Sequence, residues 1–124
     1  LESNKRNKNG LSDEEFTKYF TADKPVIFNF HGYPMFIHGL IYNRPNKNFY
    51  VHGYEEEGSI TTSFDMRLRN KIDRFSLCQE ALTFLPNSKG KTELENYITT
   101  TLEKHYKHAK DVGIDLDEIT NFEI

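Results

Sequence analysis

The sequence predicts an α/β fold in which a short, largely parallel sheet is flanked by helices. Two runs rich in β-branched and aromatic residues, 26–30 and 49–54, have the composition of strands. The interval between them contains a short apolar helix candidate and is long enough for the crossover that joins parallel strands. Three helix patterns follow the second run, so helices are expected to outnumber strands.

The first helix is predicted to begin after Ser12, because Ser12 and Glu15 have the spacing of a capping box. It should end near Phe20. The strand candidate 26–30 is apolar almost throughout, which is typical of a parallel strand covered on both faces. We therefore expect this strand at the centre of the sheet.

A short buried helix is predicted over 35–41, because Pro34 suits the first helical turn and the segment is strongly apolar. In the second strand candidate, alternation places Phe49, Val51 and Gly53 on one face. Strand, helix and strand together predict a βαβ unit with a right-handed crossover.

Helices are expected to fill the second half of the chain. The hydroxyl-rich segment 59–63 should cap one of them, and an apolar stripe at spacings of three and four predicts another over 73–85. The last helix has the clearest signals: Thr92 and Glu95 have capping-box spacing, and Gly113 is placed to end it. The pattern does not determine the structure of the tail after Gly113.

Composition limits the classes of function. The chain has 124 residues, the size of one domain, and a net charge of −3 with no basic stripe, so nucleic-acid binding is not expected. No apolar run approaches the length of a membrane span. Cys78 is the single cysteine and cannot form an internal disulfide, so we expect a cytoplasmic protein.

The start of the chain suggests a piece of a longer protein, because it opens at Leu1 rather than Met with a polar lead-in. Residues 1–9 are predicted to be a linker from a preceding domain. Residues 10–124 are predicted to form one α/β domain, present in part.

The loop 53–59 lies between a strand and a helix, where a phosphate-binding loop would lie, but Ser59 occupies the position of the required lysine. Three consecutive glutamates, Glu55 to Glu57, would also repel a nucleotide, so a turn with a solvated acidic rim is favoured. The hydroxyl groups of 59–63 allow two interpretations, which are simple helix capping and binding of a small anion.

Four other features have both a chemical and a structural interpretation. His105 and His108 are spaced to share a metal ion on a helix, and Cys78 is a potential thiolate, but packing explains each of them as well. The run Glu55 to Glu57 would supply acid–base chemistry only if burial raised a pKa. His31 ends the first strand, at the sheet edge where α/β proteins bind ligands, or it is hydrogen-bonded to a neighbouring carbonyl.

Two sequence blocks resemble a known family. Residues 23–34 (DKPVIFNFHGYP), followed by Ile37 and His38, and residues 53–66 (GYEEEGSITTSFDM) resemble the C-terminal domain of xylulose 5-phosphate/fructose 6-phosphate phosphoketolase. The resemblance covers about residues 10–85. Three positions depart from the family pattern: Met35 replaces tryptophan, His52 replaces arginine and Ser63 replaces proline.

The resemblance implies a larger enzyme that uses thiamine diphosphate and magnesium. Such enzymes cleave a ketose phosphate with inorganic phosphate to give acetyl phosphate and an aldose phosphate. The family's cofactor motif, Gly-Asp-Gly followed by asparagines, does not occur in this chain, so the resemblance assigns no catalytic, cofactor or metal residue here. It implies a fold similar to the transketolase C-terminal domain, with the first strand or strands upstream of Leu1.

The leading hypothesis is a non-catalytic domain that serves assembly with the preceding domains and within a homo-oligomer, at least a dimer. A second hypothesis is a regulatory module that binds phosphate or a small anion. Its candidate ligand or interface residues are His31, Tyr33, His38, Ser59, Thr61 and Thr62. The third is a self-contained enzyme that uses His105, His108 or Glu55 to Glu57. The choice between xylulose 5-phosphate and fructose 6-phosphate stays open.

Overall fold

The computed structural model describes residues 1–55 and 60–121, which divide into two units, Leu1–Glu55 and Glu56–Ile124. The first unit contains α1 (Asp13–Phe20), β1 (Val26–Asn29), α2 (Pro34–Ile41) and β2 (Phe49–His52). The second contains α3 (Ser63–Arg69), α4 (Arg74–Thr83), α5 (Lys89–Val112) and α6 (Asp117–Thr120). None of the described helices has the length and hydropathy needed to cross a membrane.

The sheet confirms the predicted α/β class. β1 and β2 pair in parallel, in register from Val26 opposite Phe49 to Asn29 opposite His52, and α2 connects them. Within residues 1–55 and 60–121 the sheet has only these two strands, so β1 is an edge strand and the prediction of a central strand was wrong. The apolar run 26–30 wrongly indicated a strand covered on both faces. Only one face of β1, which carries Phe28, packs on the core of its unit.

The core of the first unit lies between this face of the sheet and the two helices. Phe16 on α1 is fully buried, and Ile37 and Ile41 on α2 complete the buried set. The ring centroid of Phe16 lies 4.8 Å from that of Phe20 and 5.8 Å from that of Phe49, distances at which aromatic rings attract each other. The capping box of Ser12 and Glu15 forms as predicted and fixes the start of α1.

Arg44 anchors the beginning of the chain to the first unit. Its guanidinium group donates hydrogen bonds to the carbonyl oxygens of Leu1, Glu2 and Leu11 at 2.9, 2.6 and 3.0 Å. A fourth bond, of 3.1 Å, reaches a carboxylate oxygen of Asp13. Residues 1–9 form no helix or strand, but this anchor packs them against the unit. The domain boundary at residue 9 stays a prediction.

α2 begins at Pro34 as predicted, but it is not a buried helix. Ile37 and Ile41 face the core, whereas Met35 is 72% exposed and Phe36 60% exposed. The apolar composition misled here, because α2 has apolar residues on both sides and the first unit covers only one of them. The expectation of burial was therefore wrong for half of the helix.

Gly39 in α2 offers a simple test of helix stability. A Cβ atom built at Gly39 would have no other heavy atom within 4 Å, so Gly39→Ala should stabilise the 124-residue chain by about 1 kcal/mol. Gly113 is the matched control, because its φ of 77° is left-handed and Gly113→Ala should destabilise the chain by about 1 kcal/mol. The measurement is the urea midpoint of each variant. If both substitutions raised the urea midpoint, or both lowered it, the prediction would be wrong.

In the second unit, side chains cap each of the three longer helices. Thr62 caps α3 and Asp73 caps α4, in the regions predicted. Ser88 caps α5 by accepting a 3.2 Å hydrogen bond from the backbone N–H of Lys91, so the predicted capping box at Thr92 was wrong. α5 begins about one turn earlier than the spacing of Thr92 and Glu95 indicated, and Gly90 lies in its first turn.

The core of the second unit is built from α3, α4, α5 and the tail. Its buried residues are Phe64, Phe75, Leu82, Ile98 and Ile119. Ile119 lies on α6, in the tail that the sequence pattern left undetermined. Gly113 ends α5 as predicted, donating its backbone N–H to the carbonyl of Ala109.

Candidate functional site

A polar cavity lies in the second unit, between the segment that precedes α3 and the last turns of α5. Its volume is about 450 Å³, which is within the range of small-molecule sites. It is lined by Ile60, Thr61, Thr62, Asp65, Arg69, Tyr106, Ala109, Lys110 and Gly113. Two of the predicted ligand candidates, Thr61 and Thr62, are among these residues.

Both threonine hydroxyl groups are bound to Asp65. The Thr62 hydroxyl accepts a 3.3 Å hydrogen bond from the backbone N–H of Asp65, so the capping interpretation is confirmed for Thr62. The Thr61 hydroxyl donates a short hydrogen bond to the Asp65 carboxylate. Ser59, the third hydroxyl candidate, lies outside the described residues.

Asp65 is buried, with 6% of its surface exposed, and its negative charge is offset by a neighbouring arginine. Arg69, one helical turn later, donates from its Nε atom to the Asp65 carboxylate at 2.8 Å. Burial alone raises the pKa of Asp65, but the hydrogen bonds from Thr61 and Arg69 and the positive charge of Arg69 outweigh it. The pKa of Asp65 is therefore lowered from its ordinary value of 3.8.

This lowered pKa predicts a pH-dependent stability. A carboxylate with a lower pKa in the folded state stabilises the fold above its unfolded pKa of 3.8 and loses this effect as pH falls through the folded value. Asp65→Asn should cost about 1 to 2 kcal/mol at pH 7, and the difference from the unsubstituted chain should shrink as pH falls below about 4. Urea unfolding at pH 7 and at a series of lower pH values measures the cost and its change.

Thr61→Val is the companion variant for this prediction. It removes one donor to the Asp65 carboxylate and leaves the Arg69 contact, so its effect at pH 7 should be smaller than that of Asp65→Asn. A pH-independent difference between Asp65→Asn and the unsubstituted chain would contradict the role assigned to the carboxylate.

Among the lining residues that the structure describes, the charge that is not offset is positive. The charges of Arg69 and Asp65 offset each other, whereas no described residue forms an ion pair with Lys110, in the last turn of α5. Tyr106 adds a phenolic hydroxyl group to the same wall. An ammonium group beside hydroxyl groups is suited to bind a small anion.

The other predicted ligand residues lie in the first unit. His31 is exposed after β1, and its ring lies edge-on to Tyr54 at a centroid distance of 5.4 Å. Tyr33 precedes α2, with its ring 6.4 Å from that of Phe36, and His38 is exposed on α2. The predicted residues therefore fall into two groups, one in each unit.

His105 is a core residue rather than a surface ligand. It is fully buried, and its ring lies edge-on to Phe64 at 4.9 Å. Its Nε2 atom is 3.7 Å from a carboxylate oxygen of Asp115, whose other oxygen accepts a 3.1 Å hydrogen bond from the backbone N–H of Phe64. His108 is half-buried. The packing interpretation is thus supported for His105.

Cys78 and the run Glu55 to Glu57 are the remaining candidates for chemistry. Cys78 packs against the core of the second unit, as its apolar stripe predicted. Glu55 is exposed, whereas Glu56 and Glu57 lie outside the described residues.

The comparison with known proteins decides the family. The whole chain, residues 1–124, matches the family described as XFP C-terminal domain. The chain belongs to this family. This XFP C-terminal domain is 50% identical over 123 residues to a probable phosphoketolase of Pediococcus pentosaceus, an alignment that covers 98% of the domain and 16% of that protein. The predicted resemblance is confirmed.

Two other relatives extend the comparison. A probable phosphoketolase of Clostridium acetobutylicum is 47% identical over 115 residues, which are 92% of this chain and 14% of that protein. A xylulose-5-phosphate phosphoketolase of Lactiplantibacillus pentosus is 41% identical over 125 residues, covering 99% of this chain and 16% of that protein. The XFP C-terminal domain therefore spans about one sixth of the length of these relatives.

The resemblance implies thiamine diphosphate and a magnesium ion as cofactors of the whole enzyme, and these need suitable ligand side chains. Among residues 1–55 and 60–121, no group of three or more His, Cys, Asp or Glu side chains is placed to hold a metal ion. The Asp65 carboxylate in the cavity is already bound by Arg69. The residues described here do not fit thiamine diphosphate with its magnesium ion.

Sequence analysis missed several residues that matter in the structure. Arg69 and Lys110 line the cavity of this XFP C-terminal domain, but each looked like an ordinary charge at a helix end. The side-chain amide group of Asn29 is buried with no hydrogen-bond partner among the described residues. A polar residue inside the apolar run 26–30 was the available signal for Asn29.

Proposed function

We propose that this chain is the non-catalytic C-terminal domain of a thiamine diphosphate-dependent phosphoketolase. The whole enzyme would convert xylulose 5-phosphate or fructose 6-phosphate, together with phosphate, into acetyl phosphate and an aldose phosphate. The observation that carries the proposal is the match of the entire chain to a domain family whose curated relatives are phosphoketolases about six times longer. In this proposal the preceding domains hold the cofactor and its magnesium ion.

The domain's role in the proposal is assembly. It contacts the preceding domains and supports a homo-oligomer, at least a dimer, in the cytoplasm. The alignments support this role, because about five sixths of each curated relative lies outside the region that this chain matches and can hold the reaction site.

The test compares three preparations for acetyl phosphate formation from xylulose 5-phosphate and phosphate. They are the 124-residue chain alone, the longer polypeptide cut before Leu1, and the two mixed. We expect the chain alone to be inactive, the cut polypeptide to be inactive, and mixing to restore activity. An active cut polypeptide that keeps its oligomeric state would contradict the assembly role, and repeating the assay with fructose 6-phosphate defines the substrate range.

A second candidate function is regulation by phosphate or a small anion. The observation that favours it is the cavity of about 450 Å³, which Lys110, Thr61 and Thr62 all line. In this proposal the anion binds to the second unit alone, and His31 and Tyr33 are not needed. Its role is to change the activity of the whole enzyme.

A titration with inorganic phosphate, followed by amide chemical shifts, tests this second candidate. We expect shifts at Thr61, Thr62 and Lys110, with saturation, and their loss in Lys110→Ala. Lys107→Ala is the matched control, because Lys107 is also exposed on α5 but does not line the cavity. Shifts reproduced by sodium chloride at the same ionic strength, or retained in Lys110→Ala, would eliminate the site.

A further inference from the structure

α2 is apolar apart from the exposed His38. Its eight residues, Pro34–Ile41, include no Asp, Glu, Lys or Arg, although 28% of the whole chain is charged. A helix that lies on the surface of its domain normally carries polar residues on the outward side, whereas a helix that is apolar all round is normally buried. The composition of α2 is therefore that of a buried helix.

The first unit nevertheless covers only one side of α2. Ile37 and Ile41 are buried on that side. The other side and its two flanking tyrosines are exposed, and together they form what we call the outer α2 surface: Tyr33, Met35, Phe36, Leu40 and Tyr42.

The outer α2 surface is continuous rather than a set of scattered residues. Tyr33, Phe36 and Leu40 follow one another at spacings of three and four, which align side chains on a helix. The rings of Tyr33 and Phe36 lie 6.4 Å apart. Met35, 72% exposed, and Tyr42, 75% exposed, flank this row. Contiguous apolar surfaces of this kind mark interaction sites.

We propose that the outer α2 surface docks onto an apolar surface of the preceding part of the same polypeptide. This inference rests on the proposed function, in which the chain is the C-terminal domain of a longer enzyme. About five sixths of each curated relative lies outside the alignment, so a large covalently attached partner is available to cover α2.

The side chains of the outer α2 surface indicate which residue types its partner should present. Aromatic residues and methionine are enriched at the centres of protein interfaces, where charged residues are depleted. Tyr33 precedes α2 and Tyr42 follows it, so each adds a hydroxyl group near one end of the helix. Attachment in one chain raises the effective concentration of the partner, which favours docking through a surface without charged groups.

Cysteine labelling tests the docking without relying on activity. Met35→Cys is compared with Tyr19→Cys, because Tyr19 on α1 is 67% exposed and lies outside the outer α2 surface. A maleimide should label both cysteines at similar rates in the 124-residue chain, as peptide mass mapping reports. In the full-length polypeptide we expect labelling of Met35→Cys to slow at least tenfold and that of Tyr19→Cys to stay within twofold.

Each other outcome overturns the inference. Equal labelling rates of Met35→Cys in the two proteins would show that the preceding part does not cover α2. Slow labelling of Met35→Cys in the 124-residue chain alone would show that the chain itself, or a second copy of it, covers the surface; repeating the measurement at tenfold dilution separates these two. If labelling of Met35→Cys and of Tyr19→Cys slowed equally in the full-length polypeptide, the protection would not be specific to the outer α2 surface.

A charged substitution gives a second and independent measurement. Phe36→Glu should leave the urea midpoint of the 124-residue chain within 0.5 M, because Phe36 is 60% exposed, and should lower the oligomeric state or thermal stability of the full-length polypeptide. Tyr19→Glu is its control. If the unsubstituted full-length polypeptide forms no acetyl phosphate, the proposed function fails, while the labelling result still decides the docking.

Discussion

Arg44→Ala should destabilise the first unit by about 3 to 5 kcal/mol, because it removes a buried side chain that makes four hydrogen bonds and leaves acceptors unsatisfied at a cost of about 1 to 3 kcal/mol each. Arg44 is 1% exposed, and its guanidinium carbon lies 4.6 Å from the ring centroid of Phe16, which is itself fully buried. The substitution removes this contact, takes from the Leu1 carbonyl its side-chain donor, and takes from the carbonyls of Glu2 and Leu11 one of their two donors. It therefore loosens residues 1–9, which stay attached to Leu11 through backbone hydrogen bonds of Glu2 and Asn4.

The conservative variant Arg44→Lys separates charge from geometry. Lysine keeps the positive charge but lacks the planar fork that reaches several acceptors at once, so about two hydrogen bonds and about 2 kcal/mol should be lost. Urea unfolding followed by amide signals of residues 1–55 measures both variants. A loss below about 1 kcal/mol for Arg44→Ala would show that water replaces the guanidinium group without cost.

Phe64→Ala should have the largest effect in the second unit. Phe64 is buried at the start of α3, where its ring lies edge-on to Phe75 at 5.9 Å and to His105 at 4.9 Å. Truncating a buried phenylalanine removes its apolar contacts and leaves a cavity, which together cost about 3 to 5 kcal/mol. We expect the amide signals of residues 60–121 to report this loss in urea.

Two comparison variants test the origin of the effect. Phe64→Leu keeps most of the volume and should cost about 1 to 1.5 kcal/mol. Tyr97→Ala truncates an exposed aromatic residue on α5 and should change stability by about 0.5 kcal/mol or less. Similar losses in Phe64→Ala and Tyr97→Ala would contradict the assignment of Phe64 to the centre of the core.

Local signals predicted the elements of the fold well. The capping box of Ser12, the proline at Pro34 and the glycine at Gly113 act within one or two helical turns, so the sequence around them is sufficient. The parallel pairing of β1 and β2 followed from the length of their connection. The start of α5 was misplaced by one turn because Ser88 and Thr92 are both suitable caps.

Long-range contacts were not predictable in this way. Arg44 bonds to Leu1, 43 residues earlier, and no local pattern distinguishes it from other arginines in polar turns. The burial of α2 and β1 was overestimated, because apolar composition shows that a surface needs a cover but not which part of a protein provides it. The role of Lys110 in lining the cavity was not predictable either, since the cavity depends on packing of the second unit.

The anchor at Arg44 also constrains the order of events during synthesis. At a translation rate of roughly 5 to 20 residues per second, the 43 residues between Leu1 and Arg44 take about 2 to 9 s to make. During that time the carbonyl group of Leu1 bonds to water, because its donor Arg44 does not yet exist, whereas the carbonyl of Glu2 can already accept from the backbone N–H of Leu11. The contacts of residues 1–9 consequently form in two steps, first with Leu11 and then, after the polypeptide has been extended past α2, with Arg44.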